Sequence, residues 1–108
     1  GPGERGMVGT GLALEIPAGY AGLVLPRSGL ASRYGVTCVN TPGLIDAGYR
    51  GEIRVALVNL DPSHSYEIHP GDRVAQLLIT PVPTTQFLEV AELSDSTRGE
   101  DGFGSSGR

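Results

Sequence analysis

Gly43-Leu44-Ile45-Asp46-Ala47-Gly48-Tyr49-Arg50-Gly51 leads into the apolar run Ile53-Arg54-Val55-Ala56-Leu57-Val58. A carboxylate and a phenol stand three positions apart in a turn bounded by glycines. The pattern predicts a short strand, a sharp turn and a long strand, together a hairpin, with the glycines supplying positive φ angles. At the mouth of such a hairpin, an acid and an aromatic ring can hold a flat polar ligand and activate a water beside it. Taken alone, the same residues also suit a solvated hairpin tip.

Working outward, Met7–Thr10 and Leu12–Ile16 read as strands separated by Gly11, and Tyr20–Leu25 as a third strand stopped by Pro26. Ser28–Gly35 is the one credible helix, capped by Ser28 and ended by Gly35. Val36–Asn40 returns to β structure. Beyond the central hairpin lie a polar loop around Pro62, a short strand Tyr66–His69, a strand Arg73–Thr80 and a last strand Phe87–Leu93. Pro81 and Pro83 mark the Arg73–Thr80 strand as an edge or a bend. Seventeen glycines and eight prolines in 108 residues fit a single turn-dense β domain with one small helix, a compact sandwich or barrel.

A formal charge of −4 speaks against general nucleic-acid or membrane-surface binding. All eight basic residues are Arg, the side chain suited to two-pronged contact with phosphate or carboxylate. The lone Cys38 excludes an intrachain disulfide, fits a reducing compartment and reads as a buried strand residue. No stretch resembles a membrane span or a signal peptide, so a cytoplasmic protein is expected. The sequence begins at Gly1 and not at Met.

Three further segments carry chemistry. Pro26-Arg27-Ser28-Gly29 joins a strand to the helix and reads either as a plain cap with a surface Arg or as a receiver of phosphate oxygens. Gln76 sits in an otherwise apolar strand, so its amide either satisfies nearby backbone or faces a polar ligand. Arg98-Gly99-Glu100-Asp101-Gly102-Phe103-Gly104-Ser105-Ser106-Gly107 is either an ordinary polar terminus or a lid for a phosphorylated ligand. Neither His64 nor His69 has metal-ligand spacing, there is no Lys for a phosphate-binding glycine loop, and no nucleophile elbow occurs.

In this order, Pro26–Ala31, Val39–Glu52, Gly71–Leu77 and Arg98–Ser105 resemble motifs two to five of the homotrimeric dUTP diphosphatases, the dUTPases. The resemblance spans nearly the whole chain. It implies an all-β, distorted jelly-roll or β-barrel fold (dUTPase-like, β-clip) with one short helix, assembled as a homotrimer with shared active sites. It further implies a β domain over residues 1–93 and a C-terminal arm over 94–108 that closes over the site. The implied reaction is hydrolysis of dUTP to dUMP and diphosphate, which limits uracil in DNA and supplies dUMP for thymidylate. Mg²⁺ would be held mainly by substrate phosphates and water, with no direct protein ligand.

Carried onto this chain, the resemblance makes Asp46 the acid that activates water against the α-phosphorus and bonds the 3′-hydroxyl. Tyr49 would pack under the sugar and exclude a 2′-hydroxyl. Asn40 and backbone around Leu44, Ile45 and Arg54 would read the uracil edge. Arg27, Ser28, Gly29 and Gln76 would hold phosphates for a neighbouring subunit, Arg27 and Gln76 sharing in catalysis with Asp46. Arg98 would meet the γ-phosphate, Phe103 would stack on uracil, and Gly104 and Ser105 would close over the phosphates. The family's first motif, a short segment with an aspartate that steadies the metal's water shell, has no match, so a trimmed or an impaired chain is expected. The competing readings are a nucleotide-binding or partner-binding relative without turnover and a dCTP deaminase. The latter's catalytic Glu is replaced here by Ala56, and its turn ends in Phe or Trp where this one has Tyr49.

Overall fold

The computed structural model describes residues 1–100. The chain runs through β1 (Arg5–Ala13), β2 (Tyr20–Pro26), α1 (Ser28–Tyr34), β3 (Val36–Cys38), β4 (Gly43–Ile45), β5 (Glu52–Asn59) and β6 (Ala75–Pro81). Six strands form two sheets of three, ordered β1-β5-β3 and β4-β2-β6, with every pair antiparallel. β5 shows the clearest logic. Ile53, Val55, Leu57 and Asn59 are buried while Glu52 and Arg54 are exposed, the period of two expected of a strand with one face on a core. Val55 and Leu57 pack with Val36 and Cys38 in one cluster. Ile53 joins Ile16 and Ile45 in a second, and half-buried Val24 touches both.

The expected hairpin does not form. β4 pairs with β2 in one sheet, whereas β5 pairs with β1 and β3 in the other. The intervening residues are therefore a corner between sheets. Each strand finds a partner with a better surface than the other offers. Opposite Ile45, for example, a side chain on Gly22 would press within 3.2–3.4 Å of Ile16, Leu77 and Ile45. Nor do Gly48 and Gly51 take positive φ; among the described residues that conformation occurs at Gly3, Gly11, Gly19, Gly35, Gly71 and Gly99.

Other expectations need smaller corrections. The two N-terminal strands are one, with a register shift between Gly9 and Ala13 that contains Gly11. Ser28 does not cap α1. Arg27 occupies the cap position without a side-chain bond, leaving Ser28 as the first helical residue. Gly35 ends the helix as expected, at φ 70°. Tyr66–His69 lies between prolines and joins no sheet, yet Tyr66 packs on the first core and on the Tyr34 ring, 4.9 Å between centroids. Phe87–Leu93 also joins no sheet. Phe87 is 96% exposed and Leu93 84%, because no described strand edge lies alongside them. β6 is the expected edge strand, and Cys38 is buried as expected, its thiol pushed up in pKa by desolvation.

Buried Asn59 closes the polar loop, donating to the His64 carbonyl (2.9 Å) and accepting from Asp61 N–H (2.9 Å). Asp61 in turn accepts the N–H groups of Ser63 (2.9 Å) and His64 (2.8 Å), which hold its carboxyl below the ordinary range. Its stabilisation is thus present above the unfolded carboxylate pKa, about 3.9, and disappears as pH falls through the folded value. Asp61→Ala is expected to lower the denaturant midpoint at pH 7. Its deficit should close as the solution is acidified through that folded value, a convergence that a pH series of unfolding curves would reveal. Gly35→Ala tests the helix stop. The new Cβ would lie 2.9 Å from the Asp61 amide nitrogen in a left-handed conformation, so a loss of about 1–2 kcal/mol in urea unfolding is expected.

Candidate functional site

The corner from β4 to β5 forms one wall of a cleft of about 450 Å³. Six of the expected residues line it: Asn40, Leu44, Ile45, Asp46, Tyr49 and Arg54. Two backbone facts set its shape. The Tyr49 N–H donates to the Asp46 carbonyl (3.1 Å), making a tight turn that holds both side chains at the mouth. The Tyr49 hydroxyl then folds back and donates to the Glu52 carbonyl (2.7 Å). Gly51 permits this. A Cβ there would lie 2.5 Å from the phenol oxygen and 2.7 Å from the ring carbon that bears it. Its requirement is space and not positive φ.

The polar groups of the cleft differ in how far they are engaged. Among the described residues, the Asp46 carboxylate is exposed and accepts no hydrogen bond, and the Asn40 amide is likewise without one. Gly43 lies under that amide, its position for a Cβ only 3.4 Å from Asn40 Nδ2. Both side chains thus face the opening with their bonding capacity unused. Arg54 is half engaged, its Nε 3.4 Å from Glu52 Oε1. Val24, Cys38, Ile53 and Val55 make the floor apolar. An apolar slot with a few convergent polar groups suits a flat heterocycle with a polar edge.

Arg27 and Gln76 are not in this cleft. They line a separate concavity of about 380 Å³ with Asp72 and Arg73. Gln76 donates to the Pro26 carbonyl (3.0 Å), which satisfies the backbone alternative and leaves its amide oxygen available. Arg27 donates to the Arg73 carbonyl at 3.4 Å, which aims the guanidinium across the β6 entrance. Ser28 is exposed in the first turn of α1, and Gly29 adjoins Arg27 in a neighbouring depression. The structure therefore joins the expected site residues into two groups within one chain. Arg98 lines neither. It lies within a turn in which Gly99 N–H donates to Ser96 Oγ (3.0 Å). Phe103, Gly104 and Ser105 lie outside the described residues. Sequence reasoning missed Glu52 and the β1 residues that touch it. Strand alternation carries the signal, because residues 52 and 54 share a face of β5. The described residues contain no cluster of three or more His, Cys, Asp or Glu side chains able to hold a metal ion. None of the described helices is long and apolar enough to cross a membrane.

Comparison with known proteins adds four findings. A sequence model described as dUTPase matches residues 1–107. The deoxyuridine 5′-triphosphate nucleotidohydrolase of Thermobifida fusca (strain YX) is 58% identical over 106 residues, 98% of this chain and 59% of that protein. The protein of the same name from Corynebacterium efficiens is 56% identical over 107 residues, 99% of this chain and 59% of that one. The chain thus spans about three fifths of the length of these two relatives. Among solved structures, a mutant dUTPase of Staphylococcus bacteriophage 80alpha with dUpNHpp superposes with a TM-score of 0.85 at 34% identity. That match covers 99% of this chain and 78% of the phage chain. The expected all-β, jelly-roll-like fold with one short helix is the fold of this chain.

The corner itself yields a direct test. In Gly51→Ala the phenol cannot stay on the Glu52 carbonyl, so a crystal structure of the variant should show their separation exceeding about 3.5 Å. An unchanged contact would mean that Gly51 is not what admits the ring.

Proposed function

Because this chain belongs to the dUTPase family, we propose that it handles dUTP, splitting it with water into dUMP and diphosphate. One observation carries the reading: the Asp46 carboxylate, without a partner among the described residues, stands exposed at the mouth of an apolar cleft, one tight turn from an anchored tyrosine ring. A base poised for water must keep its lone pairs free, and a structural carboxylate would have spent them.

In this reading the pyrimidine enters the cleft. The Asn40 amide and the backbone of Leu44, Ile45 and Arg54 pair with its edge. Thymine is excluded by the bulk of its methyl, and cytosine by exchanged donors and acceptors that leave buried groups unpaired. Tyr49 forms the floor under the deoxyribose. Asp46 accepts a proton from water as the water oxygen bonds to the α-phosphorus, and the bond to the α,β-bridging oxygen breaks to release diphosphate. Such a transfer needs alignment and charge compensation more than covalent help.

The compensating charge would come from Arg27, with hydrogen bonds from Ser28, Gly29 and Gln76, and the separation of the Arg27–Gln76 concavity from the base cleft supports a site shared between subunits. So does the exposed apolar surface of β6 and of residues 82–93. A radius of gyration of 18.7 Å, against about 13 Å for a compact chain of about this length, points the same way. These observations support self-association, and we propose that it is the homotrimer the resemblance implies, with residues 1–93 as the β domain and 94–108 as an arm. Arg98, Phe103, Gly104 and Ser105 of that arm would close over base and phosphates.

Magnesium fits this donor set. The free hard-oxygen donor at the cleft mouth is Asp46, and the arginines opposite favour phosphate, so an ion would be held through triphosphate oxygens and water and not by a protein cage. Bound there, it supplies further neutralisation of phosphate charge. A related mutant dUTPase from phage phi11 of S. aureus, TM-score 0.75 and 29% identical over 88% of this chain and 77% of that one, is described with a coordinated structural Mg(II) ion. The lone buried Cys38 and a free nucleotide substrate both suit the cytoplasm.

Diphosphate release from dUTP, dTTP, dCTP and UTP tests the reading, with dUTP expected to be strongly preferred. Asp46→Asn should lower kcat by about 10²–10⁴-fold with little change in affinity. Unchanged turnover would remove Asp46 from the reaction. Light scattering should give three times the chain mass, and a stable monomer with full activity would refute the shared site.

A further inference from the structure

Glu52 joins more of the cleft than any residue assigned above. Its carbonyl accepts the Tyr49 hydroxyl (2.7 Å) and its Oε1 lies 3.4 Å from Arg54 Nε. Its Oε2 accepts the N–H of Gly11 (2.9 Å), across the sheet on β1. That amide belongs to the irregular stretch where three residues of β1, Thr10 to Leu12, fall between the paired positions Gly9↔Arg54 and Ala13↔Glu52. The bulge strips Gly11 of a ladder partner, and the carboxylate replaces it. Thr10 completes the contact, donating through Oγ1 to the Ile53 carbonyl (2.7 Å) and accepting Leu12 N–H (3.1 Å). Gly9 makes the geometry feasible. A Cβ at that position would stand 2.8 Å from Glu52 Oε2, so only glycine lets the carboxylate lie across β1.

We propose that Glu52 is a positioning residue that sets selectivity for deoxyribose over ribose, because its clasp on the β1 bulge fixes the peptide that anchors Tyr49. The inference rests on the dUTP reading above. A ring that excludes a 2′-hydroxyl does so as a wall, and a wall discriminates only while it cannot yield. The ring's hold is the Glu52 carbonyl, at the first residue of β5. That peptide is kept in place by a charge-assisted bond to Gly11 and by the Thr10 contact one residue on. With the clasp released, the corner can shift outward to admit one oxygen atom, while the apolar floor and the Asn40 amide still recognise the base.

The test is calorimetric titration of the intact chain with the non-hydrolysable α,β-imido analogues of dUTP and UTP. The wild type should prefer the deoxy analogue. Glu52→Ala should narrow that preference about tenfold, with the ribo analogue binding as well as before or better. Gly9→Ala changes no cleft residue but displaces the Glu52 carboxylate, so it should reproduce the effect. Glu52→Gln, which retains an acceptor for Gly11, should retain most of the preference. A wild type that prefers the deoxy analogue, with Glu52→Ala and Gly9→Ala losing affinity for both analogues by one common factor or for neither, overturns the role of Glu52 alone. A wild type that binds neither analogue overturns the dUTP reading, and this inference with it.

Discussion

Six residues, Asp46 to Gly51, must carry the chain from the edge of one sheet to the centre of the other, and the cleft is the shape that this passage leaves. The turn at Asp46–Tyr49 reverses the chain, and the Tyr49 hydroxyl spends its donor on the Glu52 carbonyl to brace the far side. A corner of this kind costs backbone freedom and gains little burial, since Asp46, Gly48, Tyr49 and Arg50 are all exposed. It persists because both ends are pinned by core residues, Ile45 on one side and Ile53 on the other, which share one cluster. The apolar contact beneath thus sets the spacing of the polar groups above, and rigidity at the mouth derives from packing at the floor.

The same economy explains the surface. Among the described residues the two clusters of buried side chains are small, four residues and three, while Leu77, Leu78, Ile79, Phe87, Leu88 and Leu93 remain substantially exposed. Apolar area of that extent on a small chain is a liability unless something covers it. A self-association that covers it would stabilise the fold and, in the same step, bring a concavity carrying Arg27 and Gln76 towards a cleft that has no arginine aimed at phosphate. Stability and site completion would then depend on one event.

The parts of the fold visible in the sequence were those governed by local rules. The alternation of Ile53, Val55 and Leu57 gave β5, Gly35 gave the end of α1, and Pro81 marked an edge strand. What local rules do not carry is partnership. Nothing within residues 43–58 tells whether two adjacent strands pair with each other or with distant ones, and here β2 and β1 outcompete the neighbour. Phe87–Leu93 has the composition of a strand, but a strand also needs a partner, and this segment pairs with none of the described strands. The candidate site was legible as a set of residues because ordered motifs name them. Its division into two concavities agrees with the resemblance, which sets Arg27, Ser28, Gly29 and Gln76 against a neighbouring subunit, but Glu52 was not legible, since its partner Gly11 lies 41 positions away.

Charge gives the final constraint. A chain of net charge −4 that is proposed to take a polyanion cannot rely on a general positive field, since that field has the wrong sign. Attraction must be local, and the composition answers with arginine alone. Its planar fork pairs with phosphate oxygens in two directions and keeps its charge at any accessible pH. Arg27 is further constrained by the Arg73 carbonyl, so less freedom is lost when an anion arrives. Arg54, beside the base cleft, is by contrast held by Glu52, which blunts its charge where a neutral ring would lie. One acid therefore makes two contacts: it pairs with Arg54 at the cleft and accepts the Gly11 N–H of the bulge. In the proposed reading the charged groups sort by position: among the described residues Arg27 has no ion-pair partner on the phosphate side, whereas Arg54 beside the base cleft has Glu52 at 3.4 Å. Such sorting favours a ligand whose negative charge sits at one end.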